Sequence, residues 1–231
     1  LVVPGATLAE WLLAAGPRWD PGRWVSALGS TIWLSVAAAL ASTAAALPLG
    51  VLAARYRDRA TRTLEGASYV AHGLPSVVIA ISMVSLGVLL LRPIYQREPL
   101  LILAYTVLFV PLAIGSVRAA VEAAPVRLEE VARSLGRAPL RAFGTVTARV
   151  ALPGIAAGAA LVLLTCMKEL PVTLLLHPTD TDTLATRLWG YSSVSDYAAA
   201  APYAAALLVF AAVPTAVLGM WSTAAGGDRS D

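Results

Sequence analysis

The chain has one cysteine, Cys166, and two histidines, His72 and His177, among 231 residues. A disulfide framework needs paired cysteines and a dedicated zinc site needs a cluster of ligands, so the sequence argues against both. Lysine is nearly absent as well: Lys168 stands alone beside 16 arginines. Charged residues make up only 13% of the chain, where soluble domains carry roughly a quarter. No Gly-x-x-x-x-Gly-Lys-Ser/Thr phosphate loop occurs, nor a Gly-x-Ser-x-Gly or His-Glu-x-x-His motif. The chain therefore lacks the parts for that mode of ATP binding and for intramembrane hydrolysis, and neither a catalytic residue nor a metal site is expected. What is abundant is apolar: 58% of residues are hydrophobic and the mean hydropathy is +0.73. This is the composition of a membrane protein, not of a soluble domain or a disordered chain.

Five long neutral intervals are present. Their apolar parts cover residues 31–54, 73–91, 99–117, 150–167 (running on past Lys168 and Glu169 to 176) and 198–221. A hydrocarbon core of about 30 Å needs about 20 helical residues. The runs are continuous and show no two-residue alternation, which predicts helices and not barrel strands. Arginines then give the orientation. Arg55, Arg57, Arg59 and Arg62 follow the first span, and Arg118, Arg127, Arg133, Arg137, Arg141 and Arg149 lie between the third and fourth. The opposite loops hold only Arg92 and Arg97, then Arg187. Positive-inside bias places the two rich segments, residues 122–149 among them, and the C-terminus in the cytoplasm. The arginines read as a topology signal and not as a nucleic-acid surface. Residues 1–30 read as an outer-side segment after a helix whose beginning is missing, residues 31–221 as the membrane domain and residues 222–231 as a cytoplasmic tail. Trp11, Trp19, Trp24 and Trp33 gather near the outer boundary as an aromatic belt.

Two places carry polar chemistry. In the loop 122–149, Leu128, Ala132 and Leu135 recur at helical spacing and predict a short amphipathic helix over residues 128–135. Gly136 ends it, and Ala138-Pro139 opens another turn. Such a helix lies on the headgroups, or else its small Ala132 and Gly136 let a partner approach the backbone. The second place is the fourth span, where Lys168 and Glu169 sit inside the apolar run at a cost of about 3 kcal/mol for such a residue. They read either as a polar lining of a translocation pathway, with Glu169 a transient partner for a cation, or as a snorkelling lysine beside a helix-bonded glutamate. Pro171 is expected to kink or open that helix. Gly154 and Gly158, four apart, are expected to let a neighbouring helix pack closely. Asp180, Asp182 and Asp196 in the outer loop read either as solvated acids or as salt-bridge partners for another protein.

Leu128-Glu-Glu-Val-Ala-Arg-Ser-Leu-Gly136 resembles the cytoplasmic motif of ABC-importer permeases, a Glu-Ala-Ala followed after three residues by Gly. Glu130, Ala132 and Gly136 match, Val131 replaces the middle alanine, and Val146 supplies the aliphatic residue ten positions beyond the glycine. The family pattern continues with Leu-Pro, where this chain has Ala148-Arg149 and reaches Leu152-Pro153 shortly after. Met167-Lys-Glu-Leu-Pro-Val-Thr-Leu-Leu-Leu176, with Asp182-Thr-Leu-Ala-Thr-Arg187 after it, resembles the iron(III)-type permeases. The likeness, from about residue 30 to 221, is to the carboxyl-terminal half of their two-half chains.

The resemblance implies an all-α polytopic bundle of the type I ABC-importer permease kind, with five full spans plus a truncated N-terminal one, in the inner membrane. It implies that Leu128, Glu130, Ala132, Gly136 and Val146 couple the chain to ABC ATPase subunits, two copies of which would bind the ATP and Mg. A substrate-binding protein and a second permease half or copy are the other implied partners, with no cofactor in this chain. The expected cargo is ferric iron. Thiamine, a polyamine, sulfate or molybdate are alternatives within the class. A gradient-driven secondary transporter, with Lys168 and Glu169 as an ion relay, is the alternative outside it.

Overall fold

A computed structural model describes residues 2–16, 20–56 and 59–226, with the side chains of residues 2, 60, 62, 65, 71, 72 and 213–226 left undescribed. The expected roles of Trp19, Arg57, Arg62 and His72, and those of the tail at 222–231, fall outside the described residues or side chains.

Among the described residues the regular structure is helical. The elements are α1 (Val2–Ala15), α2 (Pro21–Arg55), α3 (Arg59–His72), α4 (Ser76–Leu89), a 3₁₀ turn (Arg92–Ile94), α5 (Glu98–Glu122), α6 (Val126–Ser134) and α7 (Pro139–Ala142). A π-helical turn (Phe143–Thr147), α8 (Ala148–Met167), α9 (Pro171–Leu176), α10 (Leu184–Ser193) and α11 (Tyr197–Gly226) follow. Three runs are long and apolar enough to cross a membrane: Pro21–Arg55, Glu98–Glu122 and Pro139–Met167. Val3–Ala15, Ser76–Leu89 and Tyr197–Ala212 are shorter apolar helices.

Residues 1–30 are largely helical, with α1 and the first turns of α2 occupying most of them. Pro4 falls in the first turn of α1, where its missing N–H has no helical partner to lose, and from Ala6 to Ala15 most residues are apolar or helix-forming. The fourth span does not run unbroken to residue 176. It stops at Met167, residues 168–170 are non-helical, and Pro171 opens α9. Proline has no N–H to donate, and its ring clashes with the carbonyl four residues back, which here is that of Met167.

Residues 33–166 and 171–179 form one compact unit. Its core runs along α5, where Leu100, Leu101, Ala104, Tyr105, Leu108 and Val117 are buried. The close approach of helices there depends on small residues. A Cβ built on Gly154 would lie 2.8 Å from the Cβ of Ala120, and one on Gly158 would collide with Ser116. Both pairs are four residues apart, so α5 and α8 meet along a seam of small side chains. Gly50 of α2 faces Val117 in the same way, at 2.6 Å. Outside this core, apolar side chains such as Leu40, Leu47, Ile81 and Val88 are exposed, as expected of surfaces that meet lipid. Hydroxyls on the spans return to their own backbone: Thr106 donates to the Ile102 carbonyl at 2.8 Å and Ser116 to that of Leu112 at 3.0 Å. This satisfies them without a partner helix.

The other unit comprises residues 1–32, 167–170 and 180–231. In it α11 packs on α1 and α10, around a core of Ala27, Leu184, Tyr203 and Ala206. Thr183 caps α10 with a reciprocal Thr183–Thr186 box, and the Leu184 N–H donates to Thr31 Oγ1 at 2.8 Å. Trp11 stacks on Tyr197 with ring centroids 4.9 Å apart.

The seam yields a test. Gly158→Ala should lower the thermal midpoint of the detergent-solubilised protein, because overpacking typically costs about 1–3 kcal/mol. Gly190→Ala in α10, where a Cβ meets nothing within 4 Å, should leave the midpoint unchanged or raise it. Equal midpoints for the two variants would contradict the seam.

Candidate functional site

The segment between α5 and α8 is where charge, tight turns and exposed apolar surface coincide. Pro125, in extended conformation, precedes α6 and denies the α5 helix a continuation. At the other end the Gly136 N–H donates to the Arg133 carbonyl at 2.9 Å and the Arg137 N–H to that of Ala132 at 3.2 Å. Together these form a Schellman close, which needs a left-handed residue, and Gly136 has φ +85°. The sequence reading that Gly136 ends the helix matches this geometry. Ala138-Pro139 starts α7, with proline in its first turn. Arg137 then donates to Thr145 Oγ1 at 2.8 Å, tying the turn to the π segment.

The faces of α6 differ from those read in the sequence. Glu129 and Ala132 are buried, whereas Leu128, Val131 and Leu135 point outward, Leu135 with 79% exposure. Leu140 of α7 is 88% exposed. Ala132 thus does not share one apolar face with Leu128 and Leu135. The helix is rotated so that Glu129 enters the interior, and it does so because donors wait there. The Arg55 Nη2 donates to Glu129 Oε2 at 3.3 Å and Thr147 Oγ1 donates to the same oxygen at 2.8 Å. Arg133, one turn along α6, pairs with Glu129 Oε1 at 2.5 Å. Arg55 Nη2 also donates to Thr147 Oγ1 at 3.3 Å, closing a triangle around an otherwise costly buried carboxylate. Beside it opens a cavity of about 440 Å³ lined by Val51, Arg55, Glu130, Arg133, Leu140 and Phe143 among others.

Of the residues expected to couple, Leu128, Glu130 and Gly136 are exposed, Ala132 is buried and Val146 is half-buried. They lie together in one surface segment. Ala148-Arg149, which stand where the family pattern has Leu-Pro, form the first turn of α8. The π turn passes into that span without a break. The sequence reading missed Glu129, Arg55 and Thr147. The Glu129–Arg133 spacing of four was a visible signal. So was the place of Arg55 as the first charge after a neutral run that begins at Arg23.

Lys168, Glu169 and Pro171 fall at the break between α8 and α9. Lys168 is exposed and Glu169 half-buried. α9 packs on α4 and α5, with a contact of 2.5 Å between the hydroxyls of Thr173 and Tyr105. Of the outer-loop acids, Asp182 is paired with Arg187 at 2.5 Å and Asp196 accepts from the Ala199 N–H at the start of α11. These two thus have structural partners in the chain. Among the described residues no group of three or more His, Cys, Asp or Glu side chains is placed to hold a metal ion.

Comparison with known proteins gives this geometry a context. Residues 46–224 match the family described as the binding-protein-dependent transport system inner membrane component. An Fe(3+)-transport system permease protein of Haemophilus influenzae is 37% identical over 94% of this chain and 43% of its own length. The chain therefore spans under half of that relative. A molybdate/tungstate transport system permease protein of Pyrococcus abyssi is 32% identical over 58% of this chain and 53% of its own. Among solved structures, the MetNI methionine ABC transporter in an inward-facing conformation matches with a TM-score of 0.72, at 17% identity. The match covers 89% of this chain and 98% of that one. A bacterial ABC transporter for import of alginate gives 0.62 at 16% identity over 98% and 90%. The fold is that of ABC-importer permeases. The chain belongs to the family of inner membrane components of binding-protein-dependent transport systems, and is a membrane component and not an enzyme.

Proposed function

We propose that this chain is the membrane-spanning permease part of an ATP-driven importer, passing a small ligand from a binding protein to the cytoplasm. The observation that carries the reading is the segment from α6 to the π turn. It shows an outward apolar face, Leu128, Val131, Leu135 and Leu140, on an arginine-rich segment between α5 and α8. A surface of that kind fits a groove on a partner protein. By the distribution of arginines the segment faces the cytoplasm, where ABC ATPase subunits, two copies in this reading, hold ATP and Mg. The chain would cross the membrane five times after a truncated first helix, beside a second permease half or copy. The gradient-driven carrier is disfavoured, since it needs no docking segment.

Ferric iron is the cargo the comparisons support best, through the Haemophilus influenzae relative. The Pyrococcus abyssi relative supports a second reading, molybdate or tungstate. Lys168 and Glu169, at the helix break before Pro171, are the polar residues proposed to line the pathway. The break frees backbone groups that a passing ion can meet only where a cavity is lined.

Two measurements test this. In proteoliposomes holding the complete permease, its ATPase and its binding protein, iron-loaded binding protein should stimulate ATP hydrolysis and molybdate-loaded protein should not. The opposite pattern would replace iron by the oxyanion, and no stimulated hydrolysis at all would overturn the importer reading. Gly136→Val should impair transport while the protein still inserts, since its side chain meets nothing within 4 Å. The left-handed backbone there costs an L-residue about 1–2 kcal/mol, which would distort the α6 end. Unchanged transport would remove Gly136 from coupling.

A further inference from the structure

Neither Arg55 nor Glu129 is among the residues that match the family pattern, and the transport reading leaves both without a role. Building on that reading, we propose that Glu129 is a positioning residue. Its carboxylate fastens α6 to the end of α2 through Arg55 and to the start of α8 through Thr147, so that a displacement of α6 is delivered to both long helices together.

Three observations carry this. The first is the convergence of three elements on one side chain. Arg55 is the last residue of α2, Thr147 the last of the π turn that leads into α8, and Glu129 with Arg133 belongs to α6. The second is that α6 has little else to hold it. It is nine residues long, below the roughly 12–15 at which an isolated helix becomes even marginally stable. Its only buried residues are Glu129 and Ala132, so one methyl group and one carboxylate make up the inward face. Charge-assisted hydrogen bonds are directional, and they fix the position of α6 where a single alanine contact would let it slide. The third is the π turn itself. The extra residue per turn at Phe143–Thr147 rotates the chain ahead of α8, and Thr147 arrives fully buried, 1% exposed, with its hydroxyl on Glu129.

The test uses the complete transporter in proteoliposomes, with its ATPase and a binding protein loaded with ferric iron, or with molybdate if that ligand is the one that stimulates the wild type. Glu129→Ala, Glu129→Gln, Arg55→Met and the double variant Arg55→Met/Glu129→Ala are compared. The readouts are the ATPase that co-purifies and the ATP hydrolysed per ligand transported. Co-purification should persist, because Leu128, Val131, Leu135 and Leu140 are untouched. The ATP-to-ligand ratio should rise about tenfold in Glu129→Ala and in Arg55→Met, and the double variant should be no worse than either, as for two residues of one network. A ratio that stays at the wild-type value in assembled complexes would overturn the proposal, as would additive effects. Should Glu129→Ala fail to assemble, Glu129→Gln keeps the shape and decides by the same ratio. A wild type that shows no stimulated hydrolysis would overturn the importer reading, and this inference with it.

Discussion

A carboxylate removed from water is tolerated only where donors surround it, and Glu129 is met by Arg55, Arg133 and Thr147. That requirement arranges the end of the larger unit where α2, α6 and the π turn meet. It sets the rotation of α6, and so which residues of that helix face outward. It brings the last residue of α2 to the last residue of the π turn that leads into α8. Removing one partner from a buried pair costs about 3–5 kcal/mol, because the other charge is left stranded. Three partners from three elements thus meet on one side chain.

The apolar face of α6 follows from the same constraint. With Glu129 inward, Leu128 and Val131 have nowhere to go but outward, and Leu135 and Leu140 extend their surface across the Gly136 turn. In water such a surface is a liability unless a partner covers it. The close of α6 is fixed by backbone chemistry and not by packing, since Gly136 stands in open space with a left-handed φ. Further into the membrane different physics applies. There the seam of Gly154 and Gly158 against Ala120 and Ser116 holds α8 to α5 by close approach, with no charge involved.

Local signals were legible in the sequence, and long-range ones were not. The apolar runs, the Gly136 stop, the Pro139 start and the packing glycines could all be read from neighbouring residues. Pro171 announced a disturbance, a kink or an opening, and its form is an opening: a stop at Met167 with α9 beginning anew. The helical character of residues 2–15 was hidden, because an apolar stretch of that length gives no periodic signal. Between Glu129 and Glu130 the sequence offered one local cue, Arg133 four residues after Glu129, and it did not decide which acid is buried. The two are adjacent acids, the family motif points to Glu130, and the residue that selects Glu129 for burial is Arg55, 74 positions away. Periodicity likewise put Ala132 with Leu128 and Leu135, because it cannot see a buried ion pair overriding the apolar phase of a nine-residue helix.

The central claim is that α6 and the end of α2 move as one body. Spin labels at Leu52 and Arg127, both exposed, in a Cys166→Ala background, would report their separation by pulsed electron resonance in the assembled transporter. The account predicts the same distance distribution in the nucleotide-free and ATP-bound states. A distribution that shifts or splits when ATP binds would contradict it, by showing that α6 moves without α2.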